Sequence, residues 1–517
     1  MKKRQCSHPN LSPLEKDPTV IVIGGLDTSG GAGLSSDLKA LYSLGLTPKC
    51  VTTHVTAQTH GEVQNIQTVT EENFLAQLKS SFSFLEKGNS SFIKLGMVGK
   101  KWMLEKMLPL LLKFEGTLVC DPVFLSSSGH PLVEEEVFDF YKKFIFPHVS
   151  LMTPNLPEAL KILGKKATSL KDIEDIGEEF LSLGVKAVLI KGGHFSETIA
   201  QNNKDLLLDY FCSKEKKYWI KSPRIQNFEG ETIRGTGCFL ASAVMGSYAL
   251  GLNQVDGLLL GRTLLNSSIR RSKKEGKTFI LGPTSIDHFE DEDFPWIENS
   301  FQGEKERLPF KSLAPKESFP WLYPIVDRAS WIPLLASCKV DILQLRIKDL
   351  KGLALEEEIK KAVALANDFQ MRLFINDFWE LALKYKAYGV HLGQEDLEHV
   401  DLEDIKKKGL RLGLSSHSYE EGAIAKSFSP SYVALGPVYF TQLKSMAFSP
   451  QGIGALKTWK KLFSCPVVAI GGINLERLPE VMEANPDIVS VVRDITLSKK
   501  PEEKIKNWQM AISSYSL

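Results

Sequence analysis

Two groups of residues in this 517-residue chain have the types and spacing that phosphate chemistry needs. The first begins with G-G-L-D-T-S-G-G-A-G at 24–33, between an apolar run and an amphipathic one. Glycines let backbone approach a ligand closely. No G-K-[ST] follows, so the segment is neither a P-loop nor a dinucleotide fingerprint. Asp27 inside it can accept hydrogen bonds from a polar heterocycle or a hydroxymethyl group. Farther on, R-G-T-G-C at 234–238 opens a long helical pattern. The amides of Gly235, Thr236 and Gly237 then form an anion hole for charge that develops on a transferring phosphoryl group. Cys238 falls in the first turn, where the helix dipole is expected to lower its thiol pKa. It is read as a weak base toward a substrate hydroxyl.

The second group lies in the last ~200 residues. Arg346 and Lys348, in Q-L-R-I-K-D at 344–349, and Lys444, in G-P-V-Y-F-T-Q-L-K at 436–444, can converge on a polyanion. Asp377 and Asp396 close F-I-N-D and G-V-H-L-G-Q-E-D. They can hold Mg²⁺, a hard cation that bridges to diphosphate oxygens. Gly471-Gly472 lets backbone amides reach a second phosphate. Two anion sites and one metal suggest the joining of a diphosphate to a phosphate ester. Cations and metal then stabilise the leaving diphosphate more in the transition state than before it. His391 and His417 are read as barrel-wall histidines without a role.

These residues need elements to hold them. From residue 19 to about 274, short apolar runs alternate with amphipathic ones. Strands are expected at 19–23, 92–95, 118–120, 151–153 and 187–191, and helices at 33–44, 74–85 and 238–250. That alternation predicts a mostly parallel sheet covered by helices. The last part carries eight strand-like runs, at 322–326, 342–345, 373–375, 389–392, 411–414, 432–435, 467–470 and 488–492. Eight βα units predict a closed barrel with its chemistry at the C-terminal strand ends, where the polar residues above collect. The expected division is a disordered lead over 1–17, an α/β domain over 18–275, a linker over 276–320 and the barrel over 321–517. The linker stretch is charged and aperiodic, although its Trp and Phe residues suggest that parts of it lie against a domain.

Apolar residues make up 43% and charged residues 24%, with net charge +1, so neither a nucleic-acid nor a membrane surface is expected. Seven cysteines, widely spaced and without C-x-x-C, argue against a disulfide framework or structural zinc. No apolar run reaches the roughly 18 residues of a membrane span. Reduced thiols and a cytoplasmic location are expected. A homo-oligomer is left open.

The N-terminal motifs resemble those of hydroxymethylpyrimidine/phosphomethylpyrimidine kinases, a ribokinase-like family. The matching segments are the Gly-rich turn, T-A-Q at 56–58, K-L-G-M at 94–97, D-P-V at 121–123, T-P-N-L-P-E-A at 153–159, K-G-G-H at 191–194 and G-T-G-C at 235–238. The resemblance implies a three-layer α/β fold and ATP-dependent phosphorylation of an aminopyrimidine alcohol and then of its monophosphate. It also implies that Asp27 and Gln58 bind the pyrimidine and that Cys238 faces its hydroxymethyl group. Lys191 is implied near the ATP phosphates, with Asn155 and Glu158 near magnesium–nucleotide. Arg234 stands where the family usually has His, and Ser127 where Lys is common.

From Trp321 to about Ser513 the motifs resemble thiamine-phosphate synthase. The resemblance implies a TIM-like (β/α)8 barrel that condenses a pyrimidinylmethyl diphosphate with thiazole phosphate. Gln344, Arg346, Lys348 and Asn376 are implied as contacts for the pyrimidine diphosphate, Ser415 and Lys444 for its diphosphate, Thr441 and Gly472 for the thiazole phosphate, and Asp377 and Asp396 for magnesium. Ile347, Leu443 and Arg493 depart from the family pattern. An active kinase fused to an altered, inactive or thiazole-tautomerase-like barrel is therefore the alternative.

Overall fold

The computed structural model describes residues 17–59, 63–85, 90–124, 133–195, 205–225, 232–276, 278–299, 308–313, 320–440 and 450–515. The chain divides into two compact units, one over residues 11–303 and one over residues 304–517 together with 1–10. Each is described by itself. The expected lead lies outside the described residues, apart from Asp17.

The first unit is built on thirteen strands: β1 (Thr19–Asp27), β2 (Lys49–Gln58), β3 (Val63–Thr68), β4 (Ser91–Leu95), β5 (Thr117–Cys120), β6 (Leu151–Met152), β7 (Ala187–Ile190), β8 (Leu206–Ser213), β9 (Lys217–Pro223), β10 (Thr232–Arg234), β11 (Lys273–Glu275), β12 (Thr278–Ile280) and β13 (Trp296–Glu298). Ten form one sheet in the order β13-β9-β8-β7-β6-β5-β4-β1-β2-β3, and β10, β12 and β11 form a small second sheet. The central strands are parallel, from β2 through β1, β4, β5 and β6 to β7, and their apolar runs are buried on both faces. Phe74, Met103, Val137, Ile162, Ile173 and Phe180, from five helices, build the core on one face. Helices Gly33–Ser43, Thr236–Ala249 and Gln254–Arg270 form the other layer. Thr236–Ala249 is buried almost all round, so its apolar sequence shows no one-sided stripe.

The boundary expected at 275 is corrected. Residues 278–298 supply β12 and β13, and β13 closes the large sheet by antiparallel pairing with β9. Phe289, Phe294, Trp296 and Ile297 are buried, so burial overrides the charged composition that read as a linker.

The second unit is a closed barrel of β14 (Trp321–Val326), β15 (Ile342–Leu345), β16 (Arg372–Asn376), β17 (Gly389–Leu392), β18 (Arg411–Ser416), β19 (Tyr432–Leu435), β20 (Val467–Ala469) and β21 (Ile488–Val491), in sequence order. All eight expected runs are strands of it. The short gap after the third run holds the seven-residue helix Trp379–Tyr385. Phe310 and Leu313, at the end of the expected linker, are buried in this unit, and Leu313 joins the core beside Trp321 and Tyr432.

Candidate active sites

In the first unit the Gly-rich turn and the start of the Thr236–Ala249 helix are pressed together. Gly235 has φ 77°, and a Cβ there would lie 2.1 Å from the Gly31 carbonyl oxygen, so no larger residue fits. Ser36 Oγ donates to the Gly235 carbonyl at 2.9 Å. Asp27 accepts from the Ser29 amide at 2.9 Å and the Ser29 hydroxyl at 2.8 Å. Arg234 reaches back to Asp27 at 3.4 Å and donates to the Thr59 carbonyl at 2.8 Å. With its amide oxygen turned toward Arg234, Gln58 accepts from Nη1 at 3.2 Å and also from Nη2. Asp27 and Gln58 are therefore linked through Arg234, next to the start of the Thr236–Ala249 helix.

Beside the start of the Thr236–Ala249 helix lies a charge network whose Lys94 and Asp37 sequence reasoning missed. Lys94, on β4, is 1% exposed and pairs with the fully buried Asp37 at 2.9 Å. Ser242 Oγ donates to Asp37 at 2.7 Å. Lys94 also lies 3.8 Å from Asp121, which binds Lys191 Nζ at 2.8 Å and accepts from Thr153 at 3.2 Å. Burial works against the charge on Lys94, but Asp37 and Asp121 raise its pKa above the usual lysine range. Burial would also raise Asp121, and Lys191 and Lys94 outweigh it to hold that carboxyl below its ordinary value. Lys191 Nζ lies 3.0 Å from where a Gly237 Cβ would stand, so cation and amide pocket converge. Asn155 and Glu158 form a reciprocal cap, with bonds of 2.8 and 2.9 Å, at the start of the Leu156–Leu163 helix beside Lys191. Burial pushes Glu158 up to about 7, against the charge of Lys191.

The lowered thiol pKa expected of Cys238 is corrected. Burial pushes its thiol up to about 12, and Lys94 and Lys191 do not offset this.

In the barrel the expected residues collect at the C-terminal strand ends. Asp377 follows β16 with φ 64°, a left-handed conformation strained for a residue with a Cβ. Its carboxylate binds Lys348 at 2.6 Å, and its amide donates to the His391 carbonyl at 3.0 Å. Asp396 accepts from the Gly393 amide at 2.8 Å. Burial raises the Asp396 carboxyl, and the nearby charge of Asp377 raises it further. Two carboxylates crowded this way, with a lysine on one, suit a divalent cation that would relieve their repulsion. Asn376 is buried, and its Nδ2 has no hydrogen-bond partner among the described residues. Gln344 donates to the Tyr323 hydroxyl at 3.3 Å, and Ser415 Oγ lies 2.9 Å from His391 Nε2. Arg346 is half-buried after β15, and Gly472, with φ 66°, follows β20. Thr441, Lys444, Leu443 and Ser127 lie outside the described residues. His391 is held neutral: burial pushes its pKa down to about 4, and Arg346 adds to the shift while Asp377 opposes it.

Comparison with known proteins decides what these sites belong to. The thiamine-phosphate synthase of Photorhabdus laumondii subsp. laumondii is 48% identical over 207 residues, which span 40% of this chain and 92% of that protein. The thiamine monophosphate synthase family model matches residues 322–495. The chain belongs to the thiamine-phosphate synthase family. The synthase domain makes up only its second unit, and residues 27–283 match the phosphomethylpyrimidine kinase family model. A solved phosphomethylpyrimidine kinase from Clostridium difficile 630 is 30% identical, covers 48% of this chain and 96% of its own, and superposes with a TM-score of 0.39. The pyridoxal kinase of Staphylococcus aureus, solved with AMP-PCP and pyridoxal, is 22% identical, covers 55% of this chain and 98% of its own, and has a TM-score of 0.47.

A phosphomethylpyrimidine kinase domain and a thiamine-phosphate synthase domain thus stand in one chain, a bifunctional enzyme of thiamine biosynthesis. The inactive or altered barrel is not favoured. Among the described residues no helix is long and apolar enough to cross a membrane.

Proposed function

We propose that the first unit transfers phosphoryl groups from ATP to 4-amino-5-hydroxymethyl-2-methylpyrimidine and then to its monophosphate. The second unit condenses the resulting diphosphate with thiazole phosphate, giving thiamine phosphate and diphosphate. The observation that carries this reading is the convergence of Lys191 with the Gly237 amide pocket above the buried Lys94–Asp37 pair. It sets an ammonium group and backbone amides in fixed positions to hydrogen-bond a phosphoryl group as it gathers charge, with little reorganisation during the reaction.

In the kinase, Asp27 and Gln58 bind the aminopyrimidine, held in place by Arg234. The amides of Gly235, Thr236 and Gly237 hold the transferring group, and Lys191 neutralises the ATP phosphates. Glu158, pushed up to about 7 by burial, gains a reason to ionise beside magnesium–nucleotide, with Asn155 fixing its carboxylate. Cys238 contacts the hydroxymethyl group as a thiol. A loose transition state needs little base assistance at the attacking oxygen.

In the barrel, Gln344 and Asn376 orient the pyrimidine. Arg346, Lys348, Ser415 and Lys444 bind its diphosphate, and Thr441 and Gly472 bind the thiazole phosphate. Asp377 and Asp396 would hold Mg²⁺, which would supply charge stabilisation to the departing diphosphate. Lys348 leaves its pair with Asp377 to bind that diphosphate.

Two separate assays on the full chain test this: ATP consumption with the hydroxymethylpyrimidine, and condensation from pre-made pyrimidine diphosphate. Lys191→Ala is expected to abolish the first and leave the second intact. Loss of both, or of neither, contradicts the assignment.

A further inference from the structure

Five side chains cross the barrel interior in one continuous hydrogen-bonded series. Gln344 Nε2 donates to Tyr323 Oη at 3.3 Å, and Tyr323 Oη lies 2.8 Å from Tyr432 Oη. Tyr432 Oη lies 2.8 Å from His391 Nδ1, and His391 Nε2 lies 2.9 Å from Ser415 Oγ. Tyr323 and Tyr432 are 1% and 0% exposed. The Tyr432 ring lies so close to β18 that a Cβ at Gly413 would be 2.1 Å from its Cζ, so the ring is locked in place.

Each hydroxyl has a single proton, and one direction, begun by the Gln344 amide, gives every proton in the series an acceptor. The Gln344 amide can only donate through Nε2, so Tyr323 accepts there and spends its proton on Tyr432. Tyr432 has then accepted from Tyr323 and spends its own proton on His391 Nδ1. A neutral imidazole that accepts at Nδ1 carries its proton on Nε2. That proton goes to Ser415 Oγ, which leaves the Ser415 proton unspent within the series.

We infer that this one-way chain makes Tyr323, Tyr432 and His391 positioning residues of the synthase site. It aims the Gln344 carbonyl oxygen at an amino group of the ligand and the Ser415 hydroxyl proton at a departing anion. The inference rests on the ligand roles proposed above for Gln344 and Ser415. It assigns a function to three residues whose sequence context shows only barrel lining. One end of the chain reads the substrate: a pyrimidine bearing an amino group satisfies the carbonyl, and one bearing an oxo group in its place sets two acceptors face to face. The other end serves the leaving group, because a serine that already accepts from His391 has its proton committed outward.

The two ends separate in kinetics. Tyr432→Phe removes the donor to His391 Nδ1 and frees the imidazole to change tautomer, so the Ser415 proton loses its direction. Tyr323→Phe leaves Tyr432 able to donate to His391 and removes the hydroxyl that accepts from the Gln344 amide and donates to Tyr432. Both variants delete one buried hydroxyl from the same core, so a purely structural role costs them alike.

The test uses the full chain. In the wild type, nitrogen-15 NMR of the His391 imidazole is expected to show a single tautomer protonated at Nε2. Condensation kcat is expected to fall about tenfold in Tyr432→Phe, the loss of one directed hydrogen bond. In Tyr323→Phe, KM for the pyrimidine diphosphate is expected to rise about tenfold, with a smaller fall in kcat than in Tyr432→Phe. A wild-type imidazole protonated at Nδ1 overturns the inference, as does the same kcat and KM pattern in both variants. The NMR result needs no turnover: a wild type with the Nε2 tautomer but no thiamine phosphate refutes the ligand roles and leaves the chain's direction standing.

Discussion

The two halves hold lysine charge in opposite ways. The kinase domain buries its lysine: Lys94 is 1% exposed and compensated inside the protein by Asp37 and Asp121. The synthase domain keeps Lys348 at the barrel mouth, 54% exposed, paired with a carboxylate assigned to another partner. Buried charge is strong and fixed, but it must be neutralised within the fold. Exposed charge is screened and weak until a ligand excludes water.

This contrast can be broken by substitution. Asp377→Ala is expected to reduce condensation about a thousandfold or more, the loss of a metal position, while kinase turnover is unchanged. Equal loss of both activities contradicts two independent sites. Lys94→Met leaves Asp37 without its buried partner and is expected to cost the first domain about 3–5 kcal/mol. A melting curve should show the kinase transition lowered and the barrel transition in place. A shift below about 1 kcal/mol would mean that the buried pair is not compensated as described.

On acid the halves behave alike, because each holds a buried neutral histidine. Burial, helped by Lys100 and opposed by Glu134, pushes His54 down to about 4. Its folded pKa lies below the unfolded value of 6.5, so the folded state binds fewer protons. The stability from keeping it neutral is present above pH 6.5 and is lost as pH falls from 6.5 toward 4, by up to about 3 kcal/mol. His54→Gln should remove that acid sensitivity from the first transition alone. The smallest effect sharpens the account of Cys238. A thiol pushed up to about 12 is no base near neutrality, so Cys238→Ser is expected to keep kinase turnover within about tenfold. A much larger loss, with a thiol titration in the rate profile, restores the base role.

The barrel was the more legible half. Its strands are short apolar runs, and placing functional residues at their C-terminal ends follows from the fold alone, so Gln344, Asp377, Asp396 and Ser415 could be found from spacing. The Tyr323–Tyr432–His391 chain could not, because its members come from three strands and each looks like core. In the kinase, G-T-G-C and the Gly-rich turn announced themselves through glycine, whose backbone demands are local. Asp37 did not: on an amphipathic helix it reads as a solvated residue, and only the packing of Thr236–Ala249 over β4 buries it against Lys94 and Ser242. Cys238 failed for the same reason, since a helix start is visible in sequence and the degree of desolvation is not. β13 was hidden because its three residues are too short for alternation to show.

The most direct measurement gives the purified full chain the hydroxymethylpyrimidine, ATP, Mg²⁺ and thiazole phosphate in one vessel and follows the products with time. The account predicts a transient pyrimidine monophosphate and diphosphate and then thiamine phosphate. Accumulation of the pyrimidine diphosphate without thiamine phosphate, or no ATP-dependent turnover, contradicts it.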